Sequence, residues 1–145
     1  DVYKRQTLIS ANWGGSNSFM TEAFGKYVEA KATDINRNHN RVIEFHNSGE
    51  LLPLNQLVSM NIGSDPYTYM AYPAAGSFID YLITTYGLGK VKAAYKTVDQ
   101  KGKAGEDAWK NTFNHPLETL EKNWLTWLEE KFNEVSFQEK VRIGE

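Results

Sequence analysis

The sequence contains no cysteine, and this absence excludes several classes of protein. Without thiols the chain cannot be a disulfide-stabilised scaffold, a thiolate zinc site or an enzyme with a cysteine nucleophile. The formal net charge of −2 gives no strong field of either sign, so neither a nucleic acid nor an anionic membrane is an expected partner. The chain also lacks an apolar run of the ~18 residues that a membrane span requires.

What is present indicates a packed globule, because 41% of the 145 residues are hydrophobic and 13% are aromatic. The first six residues, DVYKRQ, have neither an initiating Met nor an apolar signal segment, and they resemble a translated library adaptor. We therefore expect residues 1–6 to be non-native and the true N-terminal part to be missing. We expect a truncated helical domain over 7–132 and, where apolar periodicity fades, a peripheral tail over 133–145.

Apolar residues recur at helical spacing in most segments, which predicts a mainly α fold, an orthogonal bundle of five or six helices. In the longest predicted helix, Pro73 is expected in the first turn, Asp80 on the solvent side and Gly87 at the C-terminal stop. Residues 33–50 are rich in Asn, His and Asp, so we expect an exposed connection there with a short extended piece at 42–45. The other helices are predicted within 19–30, 52–60, 90–98, 106–113 and 116–132.

The first helix, SFMTEAFGKYVEA at 18–30, carries Glu22, Gly25 and Glu29 on the side opposite its apolar residues. A glycine inside a helix costs about 1 kcal/mol relative to alanine. Gly25 therefore indicates that a neighbouring helix or a metal ligand approaches closely. The alternative is an ordinary solvent face with Glu and Lys, which is the usual case for such a pattern but does not explain Gly25. A third interpretation is a glycosidase pair, since Glu22 and Glu29 lie about two turns, or roughly 10 Å, apart.

The segment FMTEAFGKYVEA resembles the W-L-x-E-G-x-A-x-Y motif of gluzincin-type zinc metallopeptidases, the peptidase-MA-like family. In that family the Glu is the third zinc ligand, and a small residue three positions later leaves space beside the metal. Glu22, Gly25 and Tyr27 match the motif, whereas Met20 and Ala23 stand where Leu and Gly are usual.

Two later segments extend the resemblance over most of residues 18–130. The stretch LETLEKNWLTWL at 117–128 is similar to the family's L-x-x-L-E-x-x-W element. The stretch YMAYPAAGSFIDYLITTYGLGKV is similar to Y-x-x-A-x-S-F-V-x-Y-L-x-x-x-Y-G-x-x-K. The resemblance implies the C-terminal half of a zincin-like metallopeptidase domain. The matching residues of the longer stretch are Tyr72, Ala75, Ser77, Phe78, Tyr81, Leu82, Tyr86, Gly87 and Lys90.

The resemblance makes Glu22 the third zinc ligand of a parent protein and Tyr72 a donor to the oxyanion of the transition state, with Tyr67 and Tyr69 as open alternatives. Catalytic zinc needs three protein ligands, and in this class an HExxH motif supplies two histidines and the general base. This chain has no HExxH. Its histidines, His39, His46 and His115, all follow Glu22, and none lies four residues from another.

We therefore predict that the chain alone binds no zinc and is inactive, while a longer parent protein uses zinc to hydrolyse peptide bonds. The alternative is a non-catalytic helical binding or scaffolding domain that keeps the peptidase fold. A domain without its zinc helix exposes the apolar surface that this helix covered, so a dimer through that surface is also expected. Bacterial proteins of this type are often exported, which favours the cell envelope or the exterior.

Overall fold

A computed structural model of the chain describes residues 18–34, 36–60, 62–97 and 103–142. Within these ranges the chain forms helices and no strand, which confirms the mainly α prediction. The described part holds seven helices, one more than the upper prediction. They are α1 (Ser18–Ala32), α2 (Arg37–Asn47), α3 (Leu54–Val58), α4 (Thr68–Tyr86), α5 (Leu88–Thr97), α6 (Lys103–Phe113) and α7 (Leu117–Arg142). The expected adaptor segment at 1–6 and the loop at 11–17 lie outside the described residues.

Helix α4 is the centre of the molecule and packs against α1, α2, α5 and α7. It is buried on several sides at once, because its middle turns present small residues, Ala71, Ala74 and Ala75, where neighbouring helices come close. Around Phe78 the core is aromatic, with the Trp109 and Trp124 rings 5.8 and 5.3 Å from the Phe78 ring. Such ring pairs add to the free energy gained from the apolar area that they bury.

The bounds of α4 correct one prediction and confirm another. The helix begins at Thr68, so Pro73 lies inside it and not in its first turn. The start follows a turn in which the Asp65 carboxylate accepts the Tyr67 N–H at 2.8 Å. Because proline has no N–H, one intrahelical hydrogen bond is missing at Pro73. The end is as predicted: Gly87 has φ +91°, and its N–H donates to the Ile83 carbonyl at 2.9 Å.

The predicted exposed connection at 33–50 is wrong, since most of it is helix α2. Val42 and Phe45, assigned to an extended piece, are buried on the inner face of this helix beside two polar residues, Asn38 and His39. The four positions follow helical spacing, but two of them are polar, so the apolar pattern by itself did not reveal the face. The predicted loop residue His39 is 3% exposed.

The short helix α3 depends on a partner from another helix for its N-terminal end. Pro53 precedes it and provides no side-chain cap. Instead, both carboxylate oxygens of Glu121 on α7 lie 3.2 Å from the Leu54 nitrogen and accept its N–H. Burial raises the pKa of the Glu121 carboxyl. Helix α7 itself continues as helix to Arg142, through most of the predicted tail.

Large apolar side chains are mostly inside the described part of the molecule. Its core takes residues from all seven helices, including the predicted Val91, Ala94 and Tyr95 of α5 and Leu120 and Trp124 of α7. The large hydrophobic residues that are exposed there are Tyr67, Tyr69 and Leu88. None of the helices in the described ranges is long and apolar enough to cross a membrane.

Candidate functional site

The acidic side of α1 does not face open solvent. Gly25 is buried, and Glu22 and Glu29 are half-buried where α1 packs along α4. Glu29 is neutralised by two cations, with Lys26 Nζ at 3.1 Å and Arg37 at 3.5 Å from its carboxylate oxygens. The interpretation of Gly25 as a point of close approach is consistent with its burial. Glu29, held by two cations, lacks the freedom of a catalytic base.

Tyr72 of α4 lies beside this side of α1. The ammonium of Lys26 is 4.9 Å from the centroid of the Tyr72 ring, within the range of a cation–π contact. Partial burial, and then the negative charge of Glu22, raise the pKa of the Tyr72 hydroxyl. At neutral pH this hydroxyl is therefore protonated and can donate a hydrogen bond. Among the described residues no group accepts from or donates to it. We call Glu22, Lys26, Glu29 and Tyr72 the Tyr72 cluster.

The two alternative tyrosines differ from Tyr72 in their surroundings. Tyr67 and Tyr69 are 44% and 53% exposed, with ring centroids 6.4 Å apart. The Tyr69 ring also meets the Phe45 ring of α2 at 5.8 Å. Glu22, whose charge contributes to the raised pKa of the Tyr72 hydroxyl, and Tyr72 are the two residues that the family resemblance assigned to one site.

The three histidines form no metal-binding group with Glu22 among the described residues. His39 is buried in α2, His46 lies at the exposed end of the same helix with Nε2 3.9 Å from Glu129, and His115 follows α6. Within the described ranges no group of three His, Asp or Glu side chains is placed to hold a metal ion. One carboxylate does not meet the demand of catalytic zinc for three protein ligands. The described residues alone therefore do not fit a zinc ion.

A second polar cluster was missed by the sequence analysis, and it lies on a different side of α4. His39 Nδ1 is 2.7 Å from Ser77 Oγ, and His39 Nε2 is 2.6 Å from Asp80 Oδ2. Ser77 Oγ also accepts the indole N–H of Trp124 at 3.1 Å. The prediction that Asp80 faces solvent is wrong, since Asp80 is 8% exposed. We call His39, Ser77, Asp80 and Trp124 the buried network.

The hydrogen bonds of the buried network run in one consistent direction when the imidazole is neutral. Trp124 donates to Ser77, the Ser77 hydroxyl donates to His39 Nδ1, and His39 Nε2–H donates to the Asp80 carboxylate. The order Ser–His–Asp is also that of a nucleophilic triad. Ser77, however, has no exposed surface, and its oxygen already accepts from an indole. A substrate carbonyl cannot reach it, so this network joins helices and does not attack a substrate.

A small cavity adjoins the buried network. Its volume is about 10 Å³, which is room for roughly one water molecule. It does not accommodate a substrate or an organic cofactor. The cavity is lined by Tyr27, Ala30, Lys31, Asn38, His39, Gly76 and Asp80.

Comparisons with protein-family models, curated proteins and solved structures found no match for this chain. The geometry of its own residues therefore has to support any functional assignment.

Proposed function

We propose that this chain is the C-terminal helical part of a gluzincin-like zinc metallopeptidase domain that hydrolyses peptide bonds. In this proposal Glu22 is one of three zinc ligands of the parent protein, and Tyr72 donates a hydrogen bond to the oxyanion. The observation that supports it best is the placement of a protonated tyrosine without a hydrogen-bond partner beside a half-buried carboxylate. A preorganised donor of this kind stabilises the negative charge that develops on a carbonyl oxygen.

The chain itself is proposed to be inactive. It lacks the HExxH motif that would supply two zinc ligands and the general base, and Glu22 alone does not retain a metal. A zinc ion, when bound by the parent, would act as a Lewis acid and activate water. The residues of this chain contribute a carboxylate, an oriented phenol and the helical scaffold that brings them together.

The first test is to read the source gene upstream of codon 7. An in-frame HExxH there agrees with the proposal. An intact upstream frame without that motif contradicts it and favours the alternative, a non-catalytic helical binding or scaffolding domain with a peptidase-like fold.

The second test uses the parent protein. We expect Glu22→Gln to lose zinc, measured by elemental analysis of the purified protein, and to lose peptide hydrolysis. Glu29→Gln is the matched control, since Glu29 is on the same helix and similarly half-buried; it should keep zinc. Tyr72→Phe should keep zinc but lower kcat by roughly 10²- to 10³-fold, the usual effect of removing one oxyanion donor. Zinc retention by Glu22→Gln would overturn the ligand assignment.

The dimer predicted through the apolar surface that a zinc helix would cover belongs to the same proposal. Exposed aromatic side chains at the start of α4, Tyr67 and Tyr69, are adjacent and are the kind of residue that interfaces favour. Light scattering of the isolated chain should give twice the monomer mass. A monomer at all concentrations would contradict this part of the proposal.

A further inference from the structure

Lys26 lies where helices α1, α2 and α4 come closest together. Its backbone carbonyl accepts the side-chain N–H of Asn38 on α2 at 3.3 Å. A Cβ atom built on Gly76 of α4 would be 2.9 Å from Lys26 Cβ and would also collide with the Asn38 amide. The start of the Lys26 side chain is thus enclosed by two neighbouring helices, and its direction is restricted by packing.

The far end of Lys26 makes two contacts that constrain it further. Its ammonium is 4.9 Å from the centroid of the Tyr72 ring and 3.1 Å from Glu29 Oε2. The carboxylate of Glu29 balances the charge and holds the ammonium over the aromatic face. The contact uses the face of the ring, not its hydroxyl, so the hydroxyl keeps its capacity to donate.

We propose that Lys26 is a positioning residue that fixes the ring of Tyr72 and leaves the Tyr72 hydroxyl free for an anionic oxygen of a bound ligand. The contact between Lys26 and the ring is independent of any activity, whereas its catalytic consequence rests on the proposed function. Glu29 has a supporting part, because it holds the ammonium in place. The contact engages the face of the Tyr72 ring and leaves its hydroxyl unbonded among the described residues.

The contact is tested by NMR on the chain as it stands. Protons above an aromatic face are shifted upfield, so we expect upfield Lys26 ε-methylene signals that return to ordinary positions in Tyr72→Leu. Tyr27→Leu is the matched control, because Lys31 lies 5.6 Å from the Tyr27 ring on the same helix. That control should change the Lys31 signals and leave those of Lys26. Lys26 signals that do not respond to Tyr72→Leu would overturn the proposal.

The consequence is tested in the parent peptidase. We expect Lys26→Met, which keeps the aliphatic stem, to lower kcat roughly two- to five-fold at unchanged zinc content, as a partly exposed cation–π contact predicts. The separate variant Lys26→Arg should keep kcat close to that of the unmodified protein, because a guanidinium also stacks on aromatic rings. In a Tyr72→Phe background Lys26→Met should have no further effect. The same loss in that background, or no loss at all, would overturn the positioning role.

The proposed function and the contact between Lys26 and Tyr72 can be disproved independently of each other. Zinc retention by Glu22→Gln contradicts the proposed function, while the NMR shifts of Lys26 still decide whether the contact exists. A melting curve for each variant shows whether it is folded, and Lys26→Arg serves as the second variant if Lys26→Met unfolds.

Discussion

Two polar clusters lie on the central helix α4, and they differ in how completely their hydrogen bonds are made. In the buried network, His39 is bonded on both ring nitrogens, and Ser77 is bonded to both His39 and Trp124. In the Tyr72 cluster, the hydroxyl of Tyr72 has no partner among the described residues, and its neighbours carry charges. The first cluster is closed to solvent, and the second is half-open.

The two clusters differ in whether their polar groups satisfy one another's hydrogen bonds. Buried polar groups that satisfy one another rigidify a core, because leaving any one of them unpaired is costly. A hydroxyl donor without a partner adds no hydrogen bond to the fold and can bond to another group. The Ser–His–Asp order resembles an active site, but the buried network is closed to solvent and fully bonded, whereas the Tyr72 cluster is the one to which the proposed function assigns a role. The predictions below test this difference.

The largest effect is expected for His39→Leu. The substitution removes the hydrogen-bond partner of the buried Asp80 carboxylate and one partner of the Ser77 hydroxyl. Removing one member of a buried pair costs about 3–5 kcal/mol of unfolding free energy. Urea denaturation measures it, with the exposed His46→Leu on the same helix as control, expected within about 0.5 kcal/mol of wild type. Equal effects at both positions would contradict a stabilising role of the hydrogen bonds of His39.

Gly76→Ala is expected to cost about 1–3 kcal/mol, because the added methyl group overpacks the contact between three helices. The new Cβ would lie 2.9 Å from Lys26 Cβ. Gly89→Ala is the matched control, since a Cβ at this helical position meets no atom within 4 Å. The control should leave stability unchanged or raise it. A tolerated alanine at position 76 would show that the helices have room to separate.

Titration of Tyr81, which is buried on α4, is expected to make the free energy of unfolding depend on pH in the alkaline range. Burial, and then hydrogen bonding to Tyr86, raise the pKa of the Tyr81 hydroxyl from 10.0 to about 12. The folded state therefore holds this proton more tightly than the unfolded state, so the contribution is complete below pH ~10 and is lost as pH rises toward ~12. Denaturation curves from pH 9 to 11.5 should show a shallower decline for Tyr81→Phe. An unchanged decline would contradict the assignment.

The smallest effect on stability is expected for Tyr72→Phe. The hydroxyl has no partner to lose, and the ring still lies under the Lys26 ammonium, so unfolding free energy should stay within about 0.5 kcal/mol of wild type. Ser77→Ala is the contrasting variant, since it removes a buried bonded hydroxyl and should cost about 1–3 kcal/mol. The same urea titration compares the two. A large loss for Tyr72→Phe would mean that its hydroxyl belongs to the scaffold.

Most helices were predictable from the sequence because their buried faces are apolar. In α1, α5 and α7 most of the described residues at helical spacing are buried, while others, such as Tyr27, Val28 and Leu117, are half-buried. Helix α2 was not predictable in this way, since half of its buried face consists of Asn38 and His39. Asn38 donates to the Lys26 carbonyl of α1. The burial of His39 is tolerated because Ser77 and Asp80 provide hydrogen bonds from another helix. That compensation lies about forty positions away in the sequence and leaves no local signal.

The functional assignment of Glu22 and Tyr72 stays a prediction. The family resemblance selected Glu22 and Tyr72, and the structure places them near enough for the charge of one to act on the other. Lys26 was not predicted, because an exposed-looking lysine on an acidic helix face has no distinctive spacing. Neither was Gly76, whose importance depends on a contact between three helices. Asp80 was misassigned because its partner, His39, was itself placed in a loop.

The sequence separations within the buried network also have a consequence for folding kinetics. The hydrogen bonds join residues 38, 41 and 47 positions apart, so each closes a long segment of chain. Contacts of this kind carry a large closure entropy and are expected to form late, after the local helices. Substitutions in the network should therefore accelerate unfolding and leave the folding rate nearly unchanged. Stopped-flow measurements would show the effect on the unfolding arm alone, and a slowed folding arm would place His39 in the nucleus.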